Sequence, residues 1–170
     1  TIIGEKGCKS MVDINKIGSQ GVFDSLNIDE VLVYAFNSSN LNEKEKAYRY
    51  ITNKYNSDWR GHNNLGAVQI MQKKYADAKT NLEKALTLNK DAGEIYNNMG
   101  ICYRNMKNYD KAEENYKKAK SFGIKPASYN LGVLSLARGN YGDAISNFKA
   151  SENSCHYNMG LAYTLNGEYS

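Results

Sequence analysis

The stretch NMGICYRNMKNYDKAEENYKKA, residues 98–119, decides the fold because its main features recur along the chain. Its opening triplet of asparagine, an apolar residue and glycine occurs four times, ending at Gly66, Gly100, Gly132 and Gly160. Successive glycines are 34, 32 and 28 residues apart. Self-similarity at such a period indicates a repeat architecture. A tyrosine follows each glycine by nine residues, at Tyr75, Tyr109, Tyr141 and Tyr169.

Each copy predicts a pair of antiparallel helices. Leu65 and Val68 belong to one apolar segment of helical spacing, and Tyr75, Ala78 and Leu82 belong to the next, after a short polar turn. We expect the glycine and the alanines to lie where the two helices cross, because a larger side chain there would hold the backbones apart. One pair cannot bury its apolar face alone, so neighbouring pairs must stack into a solenoid.

These residues resemble the tetratricopeptide repeat (TPR) family, whose pattern is W-x2-L-G-x2-Y…A-x3-F…P. The resemblance covers roughly residues 59–170 and implies an all-α fold, a right-handed TPR superhelix of about four to five antiparallel helix pairs. The chain departs from the pattern in lacking the proline that ends each unit. The tryptophan position carries His62, Tyr96, Ser128 and His156.

The repeat pattern divides the chain into a leader and a solenoid. Residues 1–26 hold four glycines and no helical period, which predicts a non-repeat leader or linker. Residues 27–170 form the predicted solenoid: a degenerate pair at 28–57, repeats at about 59–92, 93–124 and 125–153, and a partial unit at 154–170. The shorter spacing before Gly160 predicts a clipped second helix after Phe148. We also expect the natural chain to continue past Ser170.

The composition excludes several classes of protein. The 170 residues are 41% hydrophobic and carry a formal net charge of +4, and no apolar run is long enough to insert into a membrane. Basic residues are spread along the repeats, which argues against a nucleic-acid partner. The three cysteines, Cys8, Cys102 and Cys155, are predicted to be small packing residues.

The sequence contains no motif of a known catalytic, metal or cofactor site. It has no GxGxxG, P-loop, GxSxG or HExxH. His62 and His156 occupy the same repeat position, where a packing role is expected. We therefore predict that the chain is not an enzyme and binds neither a metal nor a cofactor.

The TPR resemblance implies a concave groove, lined by the first helices, that holds peptides. Amide side chains there can bond the main chain of a ligand without any charge. Some relatives clamp a carboxylate with lysines, but Asn63 and Asn97 stand where that clamp would need a lysine, which argues against chaperone tails. The predicted groove residues are Asn63, Asn64, Asn97, Asn98, Arg104, Tyr129, Asn130, Tyr157 and Asn158.

Alternatives stay open for most of these residues. The asparagines either contact a ligand or bond backbone groups between repeats. Tyr129 and Tyr157 either bind a partner or pack on each other. The apolar row Ile101, Val133 and Leu161 is expected to belong more to the core than to a binding surface, whereas Arg60 is expected to add positive charge beside Arg104.

Two functions remain for such a chain. The first is a protein–protein interaction scaffold that binds a peptide or partner segment in the groove. The second is a spacer or assembly module of a cell-envelope complex that acts through its ends, with end-to-end self-association through the incomplete C-terminal repeat. A regulatory domain of an enzyme encoded elsewhere is a weaker third possibility. The bias towards asparagine, lysine and tyrosine, and a similarity to TPR modules of Bacteroidetes cell-envelope proteins, favour a bacterial, periplasmic location over a cytoplasmic one.

Overall fold

The computed structural model describes residues 20–151 and 156–167, apart from the side chains of Gln20, Val22, His156 and Tyr157. This part of the chain contains a short 3-10 helix, Gln20–Ser25, and nine α-helices, with no strand. The α-helices are α1 (Ile28–Asn37), α2 (Leu41–Lys54), α3 (Trp59–Met71), α4 (Tyr75–Leu88), α5 (Gly93–Asn105), α6 (Tyr109–Ser121), α7 (Lys125–Ala137), α8 (Tyr141–Ala150) and α9 (His156–Leu165).

The helices stack as consecutive pairs. Helix α1 packs on α2, α3 on α4, α5 on α6 and α7 on α8, and each second helix also packs on the first helix of the next unit. The first helices contact one another directly, α3 with α5 and α5 with α7, so they form the inner layer of the array. The described residues thus make four helix pairs and the first helix of a fifth, which confirms the predicted all-α solenoid.

The three central pairs cross at the motif glycines. A Cβ atom placed on Gly100 would lie 2.5 Å from Cδ1 of the Tyr116 ring. The same atom on Gly66 would lie 2.8 Å from Cγ of Leu82, and on Gly132 it would lie 2.6 Å from Cδ1 of Phe148. Real Cβ atoms do not approach their neighbours this closely. The prediction that the glycines mark the helix crossings is confirmed.

Polar caps and left-handed residues set the helix ends. Asn27 and Glu30 form a reciprocal capping box at the start of α1. The four first helices that carry the motif glycine, α3, α5, α7 and α9, are each followed by a residue with positive φ, seven positions after that glycine. The four equivalent residues are Lys73 (φ 63°), Lys107 (φ 61°), Gly139 (φ 77°) and Gly167 (φ 76°). Two of the four turns therefore place a lysine in a conformation that favours glycine.

The buried side chains form three clusters along the solenoid. The first joins the 3-10 helix to α1, α2 and α3 around Phe23 and Ile51, the second fills the middle repeats around Tyr116, and the third surrounds Phe148. Cys102 belongs to the middle cluster, and burial raises the pKa of its thiol. Its predicted packing role is confirmed, whereas Cys8 and Cys155 lie outside the described residues.

The second helix of the fourth pair is shorter than its equivalents. Helix α8 has 10 residues, against 14 in α4 and 13 in α6. It ends at Ala150, and the hydroxyl of the next residue, Ser151, donates to the carbonyl oxygen of Phe148 at 2.8 Å. The predicted clipping of this helix is confirmed.

Candidate partner-binding groove

One face of each first helix is turned away from its second helix. On α5, Gly100 contacts α6, whereas Asn97, Ile101 and Arg104 follow at the i, i+4, i+7 spacing that places residues on one helix face. Equivalent residues of the other first helices continue this surface, which we call the inner groove. Its central row is Phe36, Ala67, Ile101, Val133 and Leu161, and Met71 and Leu165 lie at its rim.

Hydrogen bonds donated by amide side chains join the first helices across three repeat boundaries. In each bond, the motif asparagine of one repeat donates to the residue that precedes the motif asparagine in the previous repeat. We call this set the amide ladder. Its rungs run from Asn98 Nδ2 to Asn63 Oδ1 (2.9 Å), from Asn130 Nδ2 to Asn97 Oδ1 (2.9 Å), and from Asn158 Nδ2 to Tyr129 Oη (3.1 Å).

The amide ladder gives most of the predicted groove residues a bond inside the protein. The asparagines do bridge repeats, but they do so through side chains and not through the backbone. Asn64 stands at the first motif position, and its Oδ1 accepts from Asn63 Nδ2 at 3.2 Å. Contact of these amides with a ligand stays a prediction.

Tyr129 is half-buried between two neighbours. Its ring lies 5.8 Å from the Phe148 ring at a tilt of 52°, and its hydroxyl accepts the last rung from Asn158. The predicted alternative, packing against Tyr157, involves a side chain outside the described residues. Tyr129 is therefore held on two sides, and its remaining edge is the part that can contact a partner.

The cations near the groove differ in their pairing. Arg60 lies 2.9 Å from Asp29 and 2.7 Å from Asp58, and its hydrogen bonds hold the pKa of the Asp58 carboxyl below its usual range. Arg60 therefore supplies no free charge, contrary to the expectation from the sequence. Arg104, which is half-buried, pairs with no carboxylate within the described part of the chain.

Tyr116 lies beneath the middle of the inner layer. Its side chain is fully buried, and its hydroxyl has no hydrogen-bond partner in the described structure. Burial raises the pKa of this hydroxyl to about 12, against a smaller opposing effect of the Arg104 charge. Tyr116 occupies the position of the phenylalanine in the repeat pattern. Its ring therefore packs as a phenylalanine ring would, and its hydroxyl is a polar group that phenylalanine lacks.

The groove carries exposed apolar side chains at both ends. Those at its N-terminal end were not predicted from the sequence. Phe36 is 78% exposed and Met71 is 63% exposed, and Leu161 and Leu165 are 38% and 47% exposed. Ile101 and Val133 are half-buried, so the central row is shared between core and surface. The signal for Phe36 was its position after Ala35, which takes the place of the motif glycine in the first unit.

His62 belongs to a polar network on the other side of α3. Its Nε2 lies 3.2 Å from the carbonyl oxygen of Asn56, and its Nδ1 lies 3.4 Å from Oδ1 of Asn81. Asn81 in turn donates to Oε1 of the buried Gln69 at 2.9 Å. The network satisfies His62 internally, which confirms the packing role, whereas the His156 side chain lies outside the described residues.

The part of the chain that the structure describes contains neither a metal site nor a membrane-spanning helix. These residues hold no group of three histidine, cysteine or acidic side chains placed to bind a metal ion. None of the helices described above combines the length and the apolar character that crossing a membrane requires.

Comparisons with known proteins relate the chain to repeat proteins. A tetratricopeptide repeat model matches residues 59–92, and a second one matches residues 93–122. No curated protein matches the sequence.

Many solved structures share the fold, and three of them are compared below. A crystal structure of MamA has a TM-score of 0.66 at 20% identity, and the match covers 99% of this chain and all of the other. MamA 41-end from Desulfovibrio magneticus RS-1 gives 0.50 at 13% identity, with 99% of both chains covered. The structure of Naa15/Naa10 bound to HypK-THB gives 0.60 at 22% identity, with 82% of this chain and 22% of the other covered.

At these identities the solved structures establish the fold alone. The family assignment rests on the recurring motif, the glycine crossings and the two repeat matches. The chain contains tetratricopeptide repeats, and the two matched ones span residues 59–122.

Proposed function

We propose that the chain is a non-enzymatic scaffold that holds a peptide or a segment of a protein partner in the inner groove. One observation carries this proposal: exposed and half-buried apolar side chains occupy equivalent places on successive first helices. Exposed apolar side chains that recur in this way mark interaction sites in proteins. The chain's membership of a repeat family of interaction scaffolds agrees with it, as does its likeness to Naa15/Naa10, which was solved bound to HypK-THB.

A pair of matched variants tests the groove. Met71→Glu places a carboxylate at the groove rim, on a side chain that is already exposed, and Thr80→Glu adds the same charge to an exposed position of the second helix α4 in the same repeat. Wild type and both variants serve as baits in lysate of the source organism, and each retained protein is then titrated against the purified chain. We expect Met71→Glu to weaken binding at least tenfold and Thr80→Glu to leave it unchanged.

Circular dichroism of both variants provides the folding control. Equal helicity with equal affinity for all three baits would contradict the groove proposal. Tyr129→Ala, combined with Tyr157→Ala, extends the test to the C-terminal half of the groove, where we expect a loss of binding with the helicity retained.

A spacer function in a cell-envelope complex is the second candidate. Leu161 and Leu165 are exposed on α9, the last helix of the described residues, so a neighbouring chain can contact them as well as a ligand of the groove. In this case the chain acts through its end, and the mass of the wild-type chain measured by light scattering should increase with concentration. Leu165→Glu should abolish this increase. A constant monomer mass for the wild-type chain would exclude self-association. A bacterial periplasmic location belongs to this proposal and is tested by fractionating cells of the source organism.

A further inference from the structure

We propose that the protein has a second binding surface, separate from the inner groove, which takes an acidic segment of a protein partner. This surface lies at the edge of the solenoid where α6 ends and α7 begins, beside the connection from α4 to α5. Lys117 lies in the same stretch but pairs with Glu113, so it is left out. The surface, which we call the basic edge, consists of Lys90, Lys118, Lys120, Phe122 and Lys125.

The net charge of the protein comes from one connection. Residues 117–125 contain four lysines and no acidic residue. The whole chain has 22 basic and 18 acidic residues, so without these four lysines the two signs balance at 18 each. The stretches at the same distance after Gly66 and Gly132, residues 83–91 and 149–157, carry no net charge. Basic residues therefore occur in every repeat, but their excess is concentrated at the basic edge.

The ring of Tyr96 on α5 brings members of the basic edge together. Phe122 stacks on this ring, with the two centroids 5.7 Å apart and the planes at 11°. The ammonium group of Lys118 lies 5.0 Å from the centroid of the same ring, a cation–π contact. The Tyr96 hydroxyl donates to the carbonyl oxygen of Lys90 at 3.0 Å. Residues from two connections thus meet around one side chain.

Ion pairs do not use up the charge of the basic edge. Lys90, Lys118 and Lys120 are exposed, and none of them pairs with a carboxylate within the described ranges. Two exposed acids, Asp91 and Glu94, lie in the neighbouring connection and at the start of α5. They reduce the positive excess of the four lysines but do not cancel it.

Phe122 gives the basic edge an apolar contact. Its side chain is 40% exposed although it stacks on Tyr96. Phe122 caps the C-terminus of α6, and the chain reverses at the next residue, Gly123, which has a φ of 78°. A partner that covers this ring removes apolar surface from water. Because lysines flank the ring, charge complementarity selects a partner that carries carboxylates beside its apolar side chain.

The size of the basic edge favours a short protein segment over a nucleic acid. A nucleic-acid strand carries a phosphate at every nucleotide and binds along a cationic path. Such a path would end after one repeat here, because the equivalent stretches on both sides are neutral. Residues 117–125 also contain no arginine, the side chain that binds phosphate with two parallel hydrogen bonds.

Three fluorescein-labelled peptides test the inference with the full chain, by fluorescence anisotropy at low salt. The first is Asp-Glu-Asp-Leu-Glu-Asp-Glu, the second has serine in place of its leucine, and the third has the corresponding amides in place of its acids. A labelled oligothymidylate is the fourth probe. We expect the first peptide to bind most tightly, the serine peptide to bind more weakly, and the amide peptide not to bind.

Paired double variants locate the binding. Lys118→Gln with Lys120→Gln should weaken binding of the first peptide about tenfold. Lys46→Gln with Lys84→Gln is the matched control, because it removes two exposed lysines that lie outside the basic edge and form no ion pair in the described structure. The control and the groove variant Met71→Glu should both leave the affinity unchanged, which separates this surface from the proposed scaffold groove.

Several outcomes would overturn the inference. These are no binding of the first peptide to the wild-type chain, or equal binding to the wild type and to the variant of Lys118 and Lys120. Oligothymidylate that binds more tightly than the peptide, and is lost in that variant, would assign the surface to nucleic acid instead. Lysines in the last turn also stabilise a helix, so circular dichroism checks the variants. If helicity falls, Phe122→Ala replaces the double variant and should weaken the leucine peptide but not the serine peptide.

Discussion

Gly100 is a residue at which the packing of the repeat leaves no room for a side chain. Its Cα lies against the ring of Tyr116, which is fully buried and held on all sides by the middle cluster. The ring cannot swing away as the end of a flexible side chain would. A methyl group at this position must therefore push α5 and α6 apart.

We expect Gly100→Ala to lower the free energy of unfolding by about 2 kcal/mol, measured by urea denaturation. Gly142→Ala is the matched control, because a Cβ at Gly142 in α8 meets no atom within 4 Å. Removing the flexibility of a helical glycine should make that variant more stable by about 0.5 to 1 kcal/mol. Equal destabilisation by both substitutions would show that the contact with Tyr116 is not the cause.

Residue-scale predictions from the sequence succeeded where a feature is local to one repeat. The glycines, Ala78 and the large residue Leu82 recur in register, so their contact follows from helix geometry. The acceptors of the amide ladder lie in another repeat, and their choice depends on how two units stack. Tyr129 is an acceptor that the repeat pattern could not predict. Its hydroxyl takes the place of the amide oxygen used in the other two rungs, and no periodicity in the sequence indicates that change.

At the scale of elements, Glu45 joins the first helix pair to the second. Its carboxylate on α2 accepts hydrogen bonds from Arg49 on the same helix and from Gln72 and Lys74 in the turn between α3 and α4. Partial burial acts to raise the pKa of Glu45, but the three hydrogen-bond donors outweigh it and lower the pKa to about 2. The folded protein therefore holds this carboxylate ionised.

This pKa predicts a pH dependence of stability. The group binds protons more weakly in the folded state than in the unfolded state, where its pKa is near 4.5. Its contribution is fully present above that value and is lost as the pH falls towards 2. We expect Glu45→Gln to lower the free energy of unfolding by about 1 kcal/mol at neutral pH. The difference from wild type should vanish near pH 2.

Urea titrations at several pH values measure this effect, with Glu114→Gln as the control. Glu114 is an exposed carboxylate on α6 that makes no ion pair within the described residues. A Glu45→Gln difference that persists unchanged at pH 2 would mean that the charge is not what joins these elements.

The helices were largely predictable from the sequence, but the side-chain contacts between different helix pairs were not. The two helices of the degenerate pair predicted at 28–57 are present as α1 and α2, which span Ile28–Asn37 and Leu41–Lys54. The bond between Arg60 and Asp29 spans 31 residues and joins two units. Nothing in a local pattern shows that these two side chains meet, so the charge of the groove was overestimated.

At the scale of the whole molecule, stability is distributed over three clusters. In a stacked array each unit contacts only its neighbours, so a loss in one cluster need not unfold the others. Phe148 fills the C-terminal cluster and packs on Gly132 and Tyr129, far along the array from Ile51 in the first cluster. The solenoid should therefore open in sections.

We expect Phe148→Ala to cost about 3 kcal/mol locally and to accelerate amide hydrogen exchange in α7, α8 and α9. Helices α1 to α3 should keep the wild-type exchange rates, because their cluster is intact. Mass spectrometry of peptic fragments measures both regions in one experiment. Faster exchange along the whole chain would show that the array unfolds as one cooperative block.

The hydrogen bonds of the amide ladder form even though the number of residues between them changes. Its rungs join residues that are 35, 33 and 29 positions apart, yet the bond lengths stay between 2.9 and 3.1 Å. Part of the shortening lies outside the inner layer, because α8 has three residues fewer than α6. A shorter outer helix is therefore compatible with a continuous amide ladder, in which the longer Tyr129 side chain replaces asparagine as the acceptor of the last rung. Repeats of unequal length can follow one another in such an array while the first helices stay joined.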